Sequence, residues 1–427
     1  MRRVLICTVG GSHEPIIRAI ESVRPDHVCF VCSDDDPATG SKGSYVQIIG
    51  KGAVIKASFR DEKPTLPNIP EQMDLTADSF SILKVIPDDL DDVYAKVIGW
   101  LATRDTKSEQ VIADYTGGTK SMSAGLVAAA LDADGVSLQL VSGSRANLVK
   151  VESGSEMVIP ASIERTRSLR QLEQALQPWS RFAYEESAML LDQMSPPQDR
   201  TLLGRYQRAR GLSQAFSAWD RFDHRAAYGV IKNFRAPLGK AGYGDMLNTL
   251  ELLVGDSPAR EPLRILDLWR NAERRAEQGR YDDAVSRLYR MLEWSAQWIL
   301  RERADIATAD VPEEKIPEGI TLTQNREGKW QAGLFNAWAL AADYGGDVVA
   351  AFWQQNEQRM LDLLQSRNTS ILAHGFKPLG EEGWRRFFDW TETELLPMFL
   401  KLTEEQPYRI RKPPRQLMQK LNFGDDG

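Results

Sequence analysis

The stretch Gln110-Val-Ile-Ala-Asp-Tyr-Thr-Gly-Gly-Thr-Lys-Ser-Met-Ser123 decides the fold of this chain. Its first part, Gln110–Tyr115, is a short apolar run that predicts a β-strand. After the Thr-Gly-Gly turn, an Ala-rich run from about Lys120 to Leu131 predicts a helix. A strand that leads through a tight turn into a helix is the repeating unit of a parallel sheet, so we expect an α/β domain.

The same alternation extends on both sides of this stretch. Further strands are predicted at Arg3–Val9, His27–Ser33, Ser81–Ile86, Val136–Val141 and Leu148–Val151, and further helices at Glu14–Ser22 and Leu90–Trp100. In a parallel sheet, ligands bind beyond the carboxyl ends of the strands, where a glycine-rich turn enters a helix. Two loops fit this description, Thr8 to Ser12 and Thr116 to Ser121. The stretch from about Gly50 to Asp78 contains three prolines and no clean period, and the role of the region 34–72 stays open.

From about Ile163 onward the strand signals disappear, and Leu, Ala, Arg, Glu and Trp recur with helical spacing. Asn271–Gln278 and Tyr281–Arg303 predict an antiparallel helix pair that turns at Gly279. A break rich in Gly and Pro lies near 254–261. We therefore expect a mainly parallel α/β domain over 1–158, an all-α connecting region over 159–258 and a C-terminal helical bundle over 259–427.

Length and composition indicate a globular protein of several domains. At roughly 150 residues per domain, 427 residues predict two or three domains. No run of 18 residues lacks a charge, and the start of the chain lacks the long apolar stretch of a signal peptide. We therefore expect a cytoplasmic protein with no membrane span. The net charge of −7 leaves RNA binding open, because an enzyme needs only a local basic groove.

The cysteines do not indicate a disulfide scaffold or a metal site. There are only three, and Cys29 and Cys32 lie in an apolar run where positions three apart point to opposite faces of a strand. No second Cys/His pair stands at zinc-ligand spacing. We expect buried strand thiols and predict no metal ligands.

The loop after Asp114 has the chemistry of a phosphate site, although it is not a P-loop. The pattern G-x-x-x-x-G-K-[ST] fails at both glycines, which argues against an ordinary NTPase. Gly117 and Gly118 allow backbone N–H groups to approach an anion, and Lys120 and the helix N-terminus add positive charge. The alternative is a plain strand-to-helix turn in which Thr119 caps the helix.

A second candidate lies near the end of the chain, in Arg367-Asn-Thr-Ser-Ile-Leu-Ala-His374. Seven positions along a helix return to within about 20° of the same face, so Arg367 and His374 can line one surface. A cation that stabilises a phosphorane, beside an imidazole that transfers protons, suits metal-free cleavage of RNA by its 2′-hydroxyl. The alternative is an ordinary helix C-terminus, because Gly375 follows and a histidine is favourable there.

Taken together, the two motifs resemble the CARF–HEPN ribonucleases of type III CRISPR systems, the accessory Csm and Csx nucleases. That family carries D-x-T-[GS]-G-T-K-x-M-S after the fourth strand of a Rossmann-like CARF domain, and this chain has it from Asp114 to Ser123. The family's HEPN domain carries Arg, a polar residue and, after a short interval, His, which correspond to Arg367, Asn368 and His374. The two motifs also stand in the family's order, one in each half of the chain.

The resemblance implies a fold, an activity and a set of site residues. The fold would be a Rossmann-like CARF domain followed by helices and a HEPN bundle. The protein would be a homodimer that binds a cyclic oligoadenylate, with cyclic tetra-adenylate favoured and cyclic hexa-adenylate the alternative, and then cuts single-stranded RNA without a metal. Arg367, Asn368 and His374 would be catalytic. The activator would be bound by Thr8, Gly10, Gly11, Ser12, Thr116, Gly117, Gly118, Thr119, Lys120, Ser121 and Met122.

Two other functions are alternatives to this one. The first is a nucleotide-sensing protein whose helical half docks a partner without catalysing a reaction. The second is a Rossmann-type dehydrogenase, which the missing G-x-G-x-x-G pattern disfavours. RNA preference, ring size and degradation of the activator by its own sensor domain stay open.

The remaining charged and titratable residues have plain structural explanations. His13 reads as a loop residue, and His27 and His224 lack partners at metal spacing. The acidic run Asp34–Asp36 reads as a solvated loop. The basic residues from Arg409 to Lys420 read as a solvated tail, with RNA contact as the alternative.

Overall fold

The structure is a computed structural model that describes residues 1–37, 40–49, 66–143, 145–146, 150–151, 157–368 and 376–421. The chain forms two compact units, one of residues 1–170 with 197–199 and one of residues 171–196 with 200–427. The three-part division predicted from the sequence stays a prediction.

The first unit alternates strands and helices. The elements are β1 (Arg2–Val9), α1 (Glu14–Val23), β2 (His27–Ser33), α2 (Val46–Ile49), α3 (Ile69–Gln72), β3 (Phe80–Val85), α4 (Leu90–Leu101), β4 (Glu109–Asp114), α5 (Lys120–Asp132), β5 (Val136–Ser142), β6 (Arg145–Ala146), β7 (Lys150–Val151) and β8 (Met157–Ala161). The main sheet has the order β3-β2-β1-β4-β5-β8, and all neighbours are parallel except β5 and β8. The predicted mainly parallel Rossmann-like sheet is confirmed.

The central strands of this sheet are buried on both faces, which is why β1 and β2 read as continuous apolar runs. Val4 and Ile6 of β1 pack with α4 and α5, whereas Leu5 and Cys7 pack with α1 on the other face. Cys29 and Cys32 lie on opposite faces, and both are free, buried thiols as predicted. Burial raises the pKa of Cys29 to about 12.

The strand predicted at Leu148–Val151 is wrong as a member of the main sheet. Only β7 falls there among the described residues, and it pairs with β6 in a separate two-stranded ribbon. The sixth strand is β8, which the sequence did not predict. It is an edge strand, contains Pro160 and exposes Met157 and Ile159, so it lacks the buried apolar pattern of a central strand.

The second unit is almost entirely helical. Its helices, with the one that crosses from the first unit, are α6 (Glu164–Leu176), α7 (Tyr184–Gln193), α8 (Arg200–Asp220), α9 (His224–Ile231), α10 (Arg235–Lys240), α11 (Gly244–Val254), α12 (Arg260–Glu277), α13 (Tyr281–Ala304), α14 (Leu334–Tyr344), α15 (Asp347–Asn368), α16 (Glu381–Trp390) and α17 (Leu396–Glu404). The short strands β9 (Thr323–Gln324) and β10 (Trp330–Gln331) form one hairpin.

The helix pair predicted around Gly279 is α12 and α13. Gly279 has φ +72°, a left-handed conformation that suits glycine at the end of a helix. The stripe of Ala284, Leu288, Leu292 and Ile299 on α13 is fully buried, so these residues are core, as their spacing predicts.

The segment that carries the basic C-terminal run is docked and is not a free tail, contrary to the prediction, although its basic side chains are exposed: Arg409, Arg411, Lys412, Arg415 and Lys420. Leu417 and Met418 are buried in a cluster with Trp179, which lies between α6 and α7, and with Tyr184 of α7. The Tyr184 hydroxyl donates to the Met418 carbonyl at 2.8 Å. The helical spacing of α17 ends before this segment, so its apolar residues gave no periodic signal.

Among the helices that the structure describes, none is long and apolar enough to cross a membrane.

Candidate functional site

The two loops predicted to bind phosphate meet at the carboxyl edge of the sheet. Because β1 and β4 are neighbours, the turns that follow them lie side by side. The Thr8 hydroxyl donates to the Gly117 carbonyl at 2.7 Å. A Cβ atom on Gly117 would lie 2.2 Å from the Thr8 carbonyl oxygen, and one on Gly10 would lie 2.6 Å from the Gly118 nitrogen. The two backbones are therefore in direct contact, and only glycine fits at Gly10 and Gly117.

The turn after β4 enters α5 as a capped helix N-terminus. The Thr119 hydroxyl accepts from the Met122 N–H at 3.3 Å and also donates to the Pro87 carbonyl, which ties the turn to the end of β3. Lys120 stands exposed in the first turn of α5. The unpaired N–H groups of a helix N-terminus and a lysine beside them favour an anion at this position.

The predicted ligand residues fall into two groups by exposure. Gly11, Ser12 and Lys120 are exposed at the edge, and Gly10 and the stretch 116–119, together with Ser121, are partly exposed. Thr8 and Met122 are only 1% exposed and lie beneath the turn. The first group lies where a ligand can reach it, whereas the second supports the loops.

Asp114, at the end of β4, holds this turn from below. Its carboxylate accepts from the Thr116 N–H at 3.0 Å and from the Gln139 amide at 3.0 Å, and the Thr116 hydroxyl accepts from the Val141 N–H at 2.7 Å. Burial raises the pKa of the Asp114 carboxyl, against the opposing effect of the hydrogen bonds from Thr116 and Gln139. This carboxylate therefore shapes the loop rather than facing a ligand.

Gln47 is a neighbour of the site that the sequence did not reveal. It lies on α2, in the stretch whose role stayed open, and is 1% exposed. Its amide nitrogen donates to the Gly10 carbonyl. The Ser33 N–H donates to the Ser44 hydroxyl at 2.9 Å, and the Ser44 N–H donates to the Ser33 hydroxyl at 2.8 Å. These two bonds return the chain to the end of β2 and so bring Gln47 to the β1 loop.

The second predicted site is described in part. Arg367 lies in the last turn of α15, and its guanidinium carbon is 4.3 Å from the centre of the Tyr289 ring on α13. Beyond the motif, the Leu379 N–H donates to both carboxylate oxygens of Asp282, at 3.1 and 3.0 Å. His374 and the side chain of Asn368 lie outside the described residues, so the predicted Arg–His geometry stays a prediction. Tyr289 and Asp282 were missed, because their spacing marks them only as residues beside the core.

The other candidate residues have ordinary partners. His13 lies 3.6 Å from Glu14, and the His27 ring is 3.0 Å from the Ser81 hydroxyl. Buried His224 is 2.8 Å from Asp267, in a network that includes Arg274 and Asp220. Asp34 and Asp35 pair with Lys84 and Lys42, respectively. In the described part of the chain, no cluster of three or more His, Cys, Asp or Glu residues could hold a metal ion.

Comparison with known proteins agrees with this architecture. Residues 257–395 match the family model described as the Csm6 HEPN domain. No curated protein matches the sequence. Among solved structures, Enterococcus italicus Csm6 bound to cyclic hexa-2′-fluoro-hexa-dAMP is similar over 96% of this chain and 96% of that chain, with 12% sequence identity and a TM-score of 0.55. This likeness concerns the fold.

Proposed function

We propose that this chain, which has the CARF–HEPN fold of the Csm6 proteins and a C-terminal region that matches their HEPN domain, is an endoribonuclease switched on by a cyclic oligoadenylate. The observation that carries the proposal is the pair of glycine loops in backbone contact beside the N-terminus of α5. Such an edge offers backbone N–H groups and a lysine to phosphate oxygens. The protein would act in the cytoplasm as part of type III CRISPR antiviral defence.

A homodimer fits the expected activator. Two copies related by a two-fold axis present the same loops to each other, and a symmetric ring of adenylates can contact both sets. The resemblance favours cyclic tetra-adenylate, whereas the solved structure that is similar to this chain carries a six-membered analogue. Both rings therefore belong in the test.

For cleavage, Arg367 and His374 would act on single-stranded RNA without a metal. The 2′-oxygen attacks the neighbouring phosphorus while an imidazole accepts its proton, and the bond to the 5′-oxygen breaks as that oxygen receives a proton. The Arg367 guanidinium would hold two oxygens of the phosphorane, which carries extra negative charge. Asn368 would assist from the adjacent position. The products would end in a 2′,3′-cyclic phosphate and a 5′-hydroxyl.

The deciding experiment incubates labelled single-stranded RNA with the protein in EDTA, with and without cyclic tetra- or hexa-adenylate. We expect cleavage that depends on one of these rings and is not slowed by EDTA. Tight ring binding with intact RNA would instead identify a sensor whose helical half is a non-catalytic docking module.

Two substitutions connect the activity to the two sites. Lys120→Ala removes a charge-assisted phosphate contact from each protomer, so activator affinity should fall at least about tenfold. Lys107→Ala is the matched control, since Lys107 is exposed before the opposite, amino end of β4.

Arg367→Lys should keep activator binding and lose most of the cleavage rate, because an ammonium cannot make the two parallel hydrogen bonds of a guanidinium.

A further inference from the structure

One face of α13 binds the chain on both sides of the predicted catalytic motif. On the near side, the Arg367 guanidinium carbon lies 4.3 Å from the centre of the Tyr289 ring. On the far side, the Leu379 N–H donates to the Asp282 carboxylate at 3.0 and 3.1 Å. The stretch between these two attachments contains Asn368 and His374.

Tyr289 and Asp282 lie on the same side of α13. Residues seven positions apart on a helix differ by only about 20° around its axis. The Tyr289 ring is partly buried against the hydrophobic core of the C-terminal helices, which fixes its position. Asp282 is anchored in the first turn of the same helix. Together they hold the last turn of α15 and the loop before α16 against this face of α13.

A guanidinium over an aromatic ring is oriented as well as attracted. The positive charge interacts with the electron-rich ring face, while the N–H groups at the edge of the guanidinium remain directed away from the ring. Arg367 thereby loses rotamer freedom before any substrate arrives. A cation held in one orientation stabilises developing charge more effectively than one that must first be ordered.

We propose that Tyr289 is a positioning residue that sets the orientation of the Arg367 guanidinium for phosphorane stabilisation. This inference rests on the proposed function, because it assigns Arg367 to the cleavage step. Tyr289 itself does not contact the RNA. Its contribution comes from the ring face, not from its hydroxyl.

The test measures single-turnover cleavage of labelled RNA by a saturating excess of the full-length protein with activator present. Tyr289→Phe keeps the ring and should cut within about twofold of wild type. Tyr289→Leu removes the ring face and should cut roughly tenfold more slowly, a loss that matches a cation–π contact. RNA affinity and activator affinity should stay unchanged in both variants, so that only the rate of the chemical step falls.

Two further variants separate positioning from stability. Trp294→Leu removes another aromatic ring of α13, one that lies 5.1 Å from the Arg290 guanidinium, and serves as the control for disturbing this helix. In an Arg367→Lys background, Tyr289→Leu should slow cleavage by less than about twofold, because lysine has no planar group for the ring to orient.

Each contrary outcome has a definite meaning. If Tyr289→Leu cuts at the wild-type rate while Arg367→Lys is slow, the positioning role is wrong and the proposed function stands. If Tyr289→Phe is as slow as Tyr289→Leu, or Trp294→Leu slows cleavage equally, the ring face does not act on Arg367. If Arg367→Lys itself cuts at the wild-type rate, the proposed cleavage site is wrong.

Discussion

At the edge of the sheet, two loops are in contact through the backbone atoms of their glycines, whereas on α13 the contacts are made by two side chains. An aromatic ring of α13 contacts the last turn of α15, and a carboxylate of α13 accepts a hydrogen bond from the loop before α16. In the first region the geometry follows from strand order, since neighbouring parallel strands must end side by side. In the second region it follows from which side chains happen to face each other across packed helices. The contact between the loops requires positions that have no side chain, whereas the contacts on α13 require particular side chains.

This contrast predicts the largest effect for the proposed proton-transfer group of the helical half. His374→Ala should reduce RNA cleavage by about 10²–10⁴-fold, which is the usual contribution of a positioned acid–base group. Activator binding should be unchanged, because the sheet edge belongs to the first unit. A single-turnover assay and a calorimetric titration check the two halves separately. Cleavage at the wild-type rate would remove His374 from the site.

The second effect concerns packing in the helical half. Leu417→Ala should lower the free energy of unfolding by about 2–5 kcal/mol, as expected for truncating a buried leucine. The nearby exposed Lys412→Ala should leave stability unchanged. Urea denaturation of both proteins makes the comparison. Equal stability of the two variants would restore the interpretation of this segment as a solvated tail.

The third effect sets two glycines of the first unit against each other. Gly117→Ala forces a Cβ atom toward the Thr8 carbonyl oxygen and should destabilise the protein by about 1–3 kcal/mol. Gly99→Ala, on the exposed face of α4 where no atom lies within 4 Å, should instead stabilise it by up to about 1 kcal/mol. Thermal unfolding shows the sign of each change. A Gly117→Ala protein that is as stable as Gly99→Ala would mean that the loops are not in contact.

The smallest effect is a dependence on pH. The raised pKa of Asp114 means that the folded protein binds this proton more tightly than the unfolded chain. Stability contributed by the neutral form is therefore lost as pH rises from the ordinary carboxyl range through the raised pKa of Asp114. Asp114→Asn should remove that loss, so its stability relative to wild type should improve as pH rises from the ordinary carboxyl range through the raised pKa of Asp114.

Measuring melting temperatures across this range tests the sign. The Asn side chain can still accept from the Thr116 N–H, and the Gln139 amide can rotate to offer its oxygen. Asp88→Asn, an exposed carboxyl, is the control. If the stability of Asp114→Asn relative to wild type does not change with pH, burial does not disfavour the charged form of the Asp114 carboxyl.

The sequence predicted the sheet better than it predicted the sites. Strands buried on both faces read as apolar runs, so β1, β2 and β4 could be recognised, and their parallel pairing placed both glycine loops at one edge. The edge strand β8 has no such run and was missed. Confirmed elements are those in which local pattern and burial agree.

Contacts between distant side chains left no local signal. Gln47 reaches Gly10 only because Ser33 and Ser44 fold the intervening chain back. Tyr289 and Arg367 are brought together by the packing of α13 and α15, and the 3.6-residue period marks each of them only as a border of the core. Such pairs require the three-dimensional structure.

The docked C-terminal segment has a consequence for how the protein is made. A ribosome produces the chain from its N-terminus, so Leu417 and Met418 emerge long after Trp179, although they belong to the same buried cluster. The helices around Trp179 and Tyr184 therefore stay incompletely packed until residues 417 and 418 have been made. A message cut short before this point would yield a helical half without its closing residues. Maturation of the helical unit is thereby tied to translation through this segment.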